Sequence, residues 1–220
     1  RPTIKREITM RRLPVYLVLD VSGSMHGEPI EAVRNGMQIL VSTLRTDPYA
    51  LETACISVIT FDGTAKQVVP LTDLMNFQPP DIQAGTTTSL GDALRLAKEC
   101  MEREVQKTTA EVKGDWKPLV FLMTDGMPTD DWQAGLSEFK TAKTGMVIAC
   151  AAGSGADSNI LKQVTDTVVM LDTADSSTIG AFFKWVSASI STTSKKVDLA
   201  KSESSQVNEL PPPPPEITLV

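Results

Sequence analysis

The segment 118–125, PLVFLMTD, is apolar until its last two positions. A strand with one solvated face alternates apolar and polar side chains, whereas a strand that has helices packed on both faces is apolar throughout. The segment therefore predicts a central strand of a parallel sheet that is covered on both sides.

Apolar runs of this kind alternate with segments of helical period along most of the chain. One helix is predicted to begin near Pro29 and to end before Asp47, because apolar residues recur at helical spacing between them. Asp62, Gly63 and Thr64 separate two strand-like runs as a hairpin turn does, which makes the third strand an antiparallel edge. The other predicted elements are strands at 15–20, 54–61, 65–71, 145–153 and 167–171, and helices at 89–106, 131–143, 158–164 and 178–190. The pattern predicts a doubly wound, Rossmann-like α/β fold with a mostly parallel sheet of order 3-2-1-4-5-6 and helices on both faces.

The chain has 220 residues, enough for one well-buried core with a short tail or arm. We assign residues 13–192 to a single domain. Residues 1–12 are interpreted as a basic arm or leader. Residues 193–220 are predicted to be an extended tail, because the consecutive prolines at 211–215 favour polyproline II.

The charge balance is acidic, with a formal net charge of -6 and a pI near 4.9. Nucleic-acid binding needs a basic surface, so nucleic acid is not expected as a partner. No apolar run reaches membrane-spanning length and no segment has the order of a signal peptide, so we expect a cytoplasmic protein without a membrane span. The three scattered cysteines and the single histidine predict buried thiols rather than disulfides or a zinc site.

Oxygen-bearing side chains follow the ends of two predicted strands. Asp20 ends the first strand and Asp125 ends the fourth, and these strands are neighbours in the proposed order. Their carboxyl ends flank the switch point where ligands bind in such sheets, so the two carboxylates should face one another. Ser22 and Ser24 follow Asp20, and a threonine run at 86–88 precedes the next long helix. Hydroxyl and carboxylate oxygens suit Mg²⁺, Mn²⁺ or Ca²⁺.

The sequence DVSGS at 20–24, with AGT at 84–86 and TDG at 124–126, resembles the three-part motif of von Willebrand factor A (vWA) domains. The resemblance covers roughly residues 13–192. It implies a metal-ion-dependent adhesion site (MIDAS), in which a divalent cation, Mg²⁺ first, binds an Asp or Glu of a protein partner. Carried over by position, the metal ligands are Asp20, Ser22, Ser24, Thr86 and Asp125, with Thr87 as the alternative to Thr86.

More narrowly, the segments MRRLPVYLVLDVSGSM and GDWKPLVFLMTDGMPTDD are similar to TerY-type bacterial proteins of tellurium-resistance clusters. This resemblance implies a bacterial stress-response complex, with kinase-like or phosphatase-like proteins as partners. It implies a binding module rather than an enzyme.

Two other readings of the same residues stay open. A strand-end aspartate such as Asp20 also begins the site of magnesium-dependent phosphoryl-transfer enzymes, although the loop after Asp20 offers serines and no nearby lysine. A purely structural role is the third possibility, in which Ser22 and Ser24 make turn and capping hydrogen bonds.

Several neighbours of the predicted site have simpler interpretations. His26 is expected in an exposed loop, and Asp62 in the hairpin turn. Asp130 and Asp131 are predicted to cap the helix that follows them. Met127 and Pro128 are candidates for a small apolar contact surface beside the metal.

Overall fold

The structure of the protein is a computed structural model that describes residues 11–200 and 210–220, with the backbone alone at 198–200. Strands and helices alternate along most of this part of the chain. The strands are β1 (Leu13–Asp20), β2 (Ala54–Phe61), β3 (Ala65–Asp73), β4 (Leu119–Thr124), β5 (Val147–Ala152), β6 (Thr167–Leu171) and β7 (Thr218–Leu219). The helices are α1 (Glu28–Leu44), α2 (Pro48–Thr53), α3 (Leu90–Glu104), α4 (Trp132–Phe139), α5 (Ser158–Val164) and α6 (Ser176–Ala200).

The strands form one sheet of order β3-β2-β1-β4-β5-β6-β7. Strands β2, β1, β4, β5 and β6 pair in parallel, while β3 is antiparallel to β2 and β7 is antiparallel to β6. The predicted fold class, the order of the first six strands and the antiparallel edge are therefore confirmed. Strand β7 was not predicted.

Strand β1 is buried along its whole length because helices cover both faces of the sheet. Its Leu17 and Leu19 belong to the apolar cluster on the side of α1 and α6. Tyr16 and Val18 belong to the cluster on the side of α3 and α4. The continuous apolar runs of the sequence thus supply two cores, one for each face.

Helix α1 buries the apolar stripe that the sequence predicted and packs it against α6. The closest approach is at Gly36, where an added β-carbon would lie 2.3 Å from Cδ2 of Phe183. Phe183 is fully buried. A glycine at position 36 is therefore what allows the ring on α6 to reach the backbone of α1.

Two helices differ from the sequence-based expectation. Helix α2 was not predicted; Asp47 caps it by accepting hydrogen bonds from the backbone N–H groups of Tyr49 and Ala50, and Pro48 begins it. Helix α6 runs to Ala200, so the proposed domain boundary between residues 192 and 193 lies within it. Residues 1–10 of the proposed arm, and residues 201–209 of the proposed tail, lie outside the described part of the chain.

The predicted burial of the thiols is confirmed: Cys55, Cys100 and Cys150 are all buried and none is in a disulfide. Among the described helices, none is both long and apolar enough to cross a lipid bilayer.

Candidate metal centre

Asp20 lies at the carboxyl end of β1 with its side chain buried, and both of its carboxylate oxygens are engaged. Oδ1 accepts a 2.7 Å hydrogen bond from the backbone N–H of Ser22, and Oδ2 accepts a 2.7 Å bond from Oγ1 of Thr124 on β4. The carboxylate therefore has a fixed orientation between two adjacent strands, as a metal-positioning group requires.

A chain of hydroxyl groups joins the loop after β1 to the end of β4. Ser22 Oγ lies 3.2 Å from Ser24 Oγ, and Ser24 Oγ donates a 2.8 Å hydrogen bond to Oδ1 of Asp125. The structure thus brings Asp20, Ser22, Ser24 and Asp125 together at one crevice. Ser22 is buried and Ser24 is exposed, so the crevice opens outward through Ser24.

Asp125 sits in an unfavourable electrostatic position. Partial burial raises the pKa of its carboxyl above the ordinary value, the hydrogen bond from Ser24 opposes the rise, and the neighbouring Asp20 carboxylate adds to it. A cation placed between the two carboxylates would offset both the cost of burying the Asp125 charge and its repulsion by Asp20. The chemistry of these donors therefore fits a hard divalent ion.

The loop before α3 reaches this crevice through its backbone. Gly23 N–H donates a 2.8 Å bond to the carbonyl of Thr86, and Gly85 N–H donates a 2.6 Å bond to the carbonyl of Val21. A β-carbon on Gly85 would come within 1.9 Å of Oδ2 of Asp62. Only glycine leaves room for the Asp62 carboxylate here, so Asp62 helps to position the loop in addition to making its predicted turn.

The three threonine side chains of this loop lie on two sides of it. The hydroxyl oxygens of Thr86 and Thr87 each lie 3.1 Å from where a β-carbon on Gly63 would stand, so both approach the β2–β3 turn. Thr88 is buried, and its Oγ1 lies 3.9 Å from the β-carbon position of Gly126, which follows Asp125. The structure joins Thr86 to the crevice through its carbonyl, and it places the Thr88 hydroxyl on the β4 side.

Sequence reasoning chose Thr86 as a metal ligand, with Thr87 as its alternative, and included Thr88 only as a member of the threonine run. Thr88 immediately precedes Ser89, the residue at the N-cap of α3, but no local pattern distinguishes its side chain from those of Thr86 and Thr87. Thr88 and Thr129 also exchange hydrogen bonds, with Thr88 N–H donating to Thr129 Oγ1 at 3.0 Å and Thr129 N–H donating to the Thr88 carbonyl at 2.8 Å.

The paired aspartates after β4 cap two different helices. Asp131 accepts a 3.4 Å bond from Ala134 N–H at the start of α4, as predicted. Asp130 instead accepts bonds from the backbone N–H groups of Gly91 and Asp92, at 3.1 and 3.0 Å, and so caps α3. The prediction that Asp130 caps the following helix is wrong, because the free N–H groups of α3 lie nearer to its carboxylate.

The rim of the crevice carries His26 and Met127. His26 is exposed, as expected, and the Met127 side chain is 52% exposed next to the Asp125–Gly126 turn. Among the described residues, no group of three or more His, Cys, Asp and Glu side chains is placed to hold a metal ion. Any metal at the crevice would therefore depend on hydroxyl oxygens as well as on the two carboxylates.

The sequence model of the von Willebrand factor type A domain matches residues 15–185. The chain belongs to the vWA family. The match spans β1 to α6 and includes the crevice between β1 and β4, so the family assignment covers both the sheet and its candidate site.

Solved vWA structures share this fold. A von Willebrand factor type A structure from Catenulispora acidiphila has a TM-score of 0.63 at 18% identity and covers 83% of this chain and 43% of its own. Proximal thread matrix protein 1 from the mussel byssus, solved with a zinc-occupied MIDAS motif, has a TM-score of 0.59 at 21% identity and covers 81% and 48%.

Among curated proteins, the uncharacterized protein sll0103 of Synechocystis sp. is 33% identical over 123 residues. The matched region is 53% of this chain and 26% of that protein. The vWA chain described here thus spans about a quarter of the length of this relative.

Proposed function

We propose that this vWA domain is a metal-dependent protein-interaction module. A divalent cation would be held at the crevice between β1 and β4, and an Asp or Glu of a partner protein would complete its coordination. The observation that carries the proposal is the network in which buried Asp20 is fixed by Ser22 and Thr124 while Ser24 bonds Asp125. Family membership supports it, because vWA domains mediate protein interactions and bind a divalent metal at a MIDAS.

The residues have distinct roles in this proposal. Asp20, Ser22, Ser24 and Asp125 supply carboxylate and hydroxyl oxygens, and the bonds from Ser22 N–H and Thr124 keep the Asp20 carboxylate oriented. A bound Mg²⁺ supplies positive charge and a coordination position for an incoming carboxylate. The two protein carboxylates at most balance the charge of a divalent cation, so the occupied site has no excess negative charge that would repel an incoming carboxylate.

The remaining hydroxyl ligand comes from the threonine run. Thr86 was the sequence-based choice and Thr87 its alternative. The side-chain positions described above favour Thr88, because its hydroxyl lies beside the Asp125–Gly126 turn whereas those of Thr86 and Thr87 lie over Gly63.

Mg²⁺ is the cation we propose, with Mn²⁺ and Ca²⁺ as alternatives, because the donors are oxygen atoms. Zinc must also be tested, since the mussel byssus structure has a zinc-occupied MIDAS motif. The proposed setting is a bacterial, cytoplasmic stress-response or tellurium-resistance complex with kinase-like or phosphatase-like partners. The support for this setting is the TerY-type resemblance of the segments around β1 and β4.

Phosphoryl transfer is the weaker alternative. A nucleophilic Asp20 would need a carboxylate oxygen free to attack phosphorus, yet both oxygens accept hydrogen bonds and the residue is only 1% exposed. We therefore propose that the domain binds without chemical turnover.

The test is calorimetric titration of metal-stripped protein with Mg²⁺, Mn²⁺, Ca²⁺ and Zn²⁺. We expect wild type and Glu52→Ala to bind with equal affinity, because Glu52 is an exposed carboxylate on α2, at the opposite end of the sheet. Asp20→Ala and Asp20→Asn should bind at least tenfold more weakly, on the order of what loss of a metal-orienting group costs. Circular dichroism checks that both variants are folded.

A second step separates binding from catalysis. The wild-type protein, with and without metal, is titrated with peptides that carry a single Asp or Glu, and each is compared with the Asn or Gln version. Metal-dependent binding of the acidic peptides alone supports the proposal. Metal-dependent hydrolysis of phosphoester substrates would contradict it.

A further inference from the structure

Residues 210–220 lie against the edge of the sheet rather than extending away from it. The indole Nε1–H of Trp185 on α6 donates a 2.9 Å hydrogen bond to the carbonyl of Pro211. Ile217 is only 4% exposed and belongs to the same apolar cluster as Trp185. Leu210 packs against that cluster. The segment is thus anchored by apolar side chains at both ends of its proline run.

After the prolines the segment pairs with β6 as an antiparallel strand. Thr218 lies opposite Met170, and Leu219 lies opposite Val169. Val220 N–H donates a 3.0 Å bond to the carbonyl of Val168, and Ile217 N–H donates a 3.0 Å bond to the carbonyl of Pro214 in the turn before the strand. Thr218 and Leu219 themselves are exposed, so the backbone and Ile217 provide most of the attachment.

These contacts combine two known modes of peptide recognition. An indole N–H that donates to a proline carbonyl is typical of polyproline binding, and a strand added to a sheet edge is typical of β-augmentation. Both modes recognise a peptide through its extended backbone and a few of its side chains. Neither therefore requires the segment to be covalently attached to the domain that binds it. The face formed by Trp185 and the edge of β6, here called the β6 groove, is therefore a peptide-binding groove whose ligand is present in the chain.

We propose that the β6 groove also binds residues 210–220 of a second copy of this protein. Every copy carries both the groove and the segment, so two copies can exchange segments reciprocally and form a closed pair with two-fold symmetry. The contacts made in trans are the same contacts seen here: Trp185 to Pro211, the buried Ile217, and the pairing of Met170 with Thr218. This interaction is independent of the proposed metal site.

A cysteine exchange experiment tests the proposal with full-length chains. One chain carries Met170→Cys and the other carries Thr218→Cys, so neither alone can form the bond within itself. Residues that face each other in an antiparallel pair have β-carbons roughly 4.5–5.5 Å apart, which is within reach of a disulfide after small adjustments. The native cysteines are buried.

On mild oxidation of the mixture we expect a disulfide-linked heterodimer. It should form about tenfold faster than with a partner carrying Val112→Cys, because residue 112 is exposed in a loop outside the docking segment and docking does not hold its thiol opposite position 170. Adding Ile217→Asp to the Thr218→Cys chain should return the rate to this control level. Adding Leu219→Asp should not, because Leu219 is 55% exposed in the seated segment.

A peptide control separates the possible occupants. The synthetic peptide LPPPPPEITLV should bind full-length Ile217→Asp, whose own segment is displaced, and should bind wild type at least about tenfold more weakly, since the attached segment has a high effective concentration. If the peptide binds but no heterodimer forms above the Val112→Cys control, the attached segments stay on their own domains and our proposal is wrong. If the peptide does not bind the folded variant, the groove recognises no segment in trans and the proposal is also wrong.

Discussion

Ser24 and Asp125 are 101 positions apart in the sequence, and a 2.8 Å hydrogen bond joins their side chains across the crevice between β1 and β4. Because Ser24 is exposed and also lies beside Ser22, replacing it should alter metal binding without altering the fold. We expect Ser24→Ala to lower Mg²⁺ affinity by about 10- to 100-fold, measured by calorimetry. Ser42→Ala, which removes an exposed hydroxyl bonded within α1, should leave the affinity unchanged; an equal loss in both variants would contradict the assignment.

The three threonines at 86–88 should contribute unequally to metal binding. Thr88→Val removes the hydroxyl beside the Asp125–Gly126 turn and keeps the branched shape, so it should weaken metal binding by about tenfold or more. Thr86→Val and Thr87→Val should have less effect, because their hydroxyls lie over Gly63. Titration of the three variants side by side decides among them. A loss confined to Thr86→Val would restore the sequence-based assignment.

Replacing a glycine by alanine should have opposite effects on stability in α1 and in α6. Gly36→Ala would place a β-carbon 2.3 Å from the Phe183 ring, and we expect it to lower the free energy of unfolding by about 1–3 kcal/mol. Gly180→Ala on α6 meets no atom within 4 Å, so the gain in helix propensity should raise the free energy of unfolding by about 0.5–1 kcal/mol. Urea unfolding measures both. Equal effects of the two variants would show that Phe183 can move away from α1.

The cap that Asp130 provides to α3 gives a further stability prediction. Asp130→Ala removes the acceptor for Gly91 N–H and Asp92 N–H and should lower the free energy of unfolding by about 1–2 kcal/mol. Asp131→Ala loses a single 3.4 Å bond to α4 and should cost less. Asp130→Asn keeps one side-chain acceptor, so its loss of unfolding free energy should lie between those of Asp130→Ala and Asp131→Ala. Denaturant midpoints would reject this ranking if Asp131→Ala were the more damaging change.

Alkaline pH should destabilise the protein through its buried thiols. Burial is the largest cause that raises the pKa of Cys55 from 9.0 to about 11; Arg12 opposes the rise, and the acidic residues Asp115 and Asp73 add to it. Between these two pH values the unfolded thiol loses its proton while the folded thiol keeps it, so unfolding releases a proton and stability falls as the pH rises.

Cys55→Ala should therefore flatten part of the decline in unfolding free energy between pH 9 and pH 11. The control is the same pair of proteins compared from pH 6 to pH 8, where the difference between them should stay constant because both thiol states are protonated. An unchanged slope above pH 9 would rule out the contribution of Cys55.

The sheet and the two strand-end aspartates could be predicted because their signals are local. Continuous apolar runs identify covered strands, and the position of Asp20 and Asp125 at strand ends follows once the strand order is known. Thr88 and Asp62 depend instead on how two loops close against each other, as the contacts of Asp62 with Gly85 show. No local pattern records that approach.

The C-terminal part of helix α6, beyond the predicted 178–190, and strand β7 were not predicted. The stretch STTS at 191–194 is rich in small polar residues and does not look helical, yet Thr193, like Ser187 and Ser189 before it, donates its hydroxyl to a carbonyl four residues earlier in the same helix. Strand β7 has two residues and no period of its own, and its pairing depends on Ile217 reaching the core beside β6.

The seated segment has one more consequence, for the solubility of the protein. An unpaired strand edge is a template for aggregation, and at the β3 edge Pro70, which lacks an N–H, and exposed Lys66 discourage such pairing. Strand β6 has no such residue among its five, Thr167–Leu171, and in the described part of the chain β7 is the strand that pairs with this edge. Reciprocal exchange would keep both β6 edges covered in the product, so the chain would be open to aggregation only during the exchange itself.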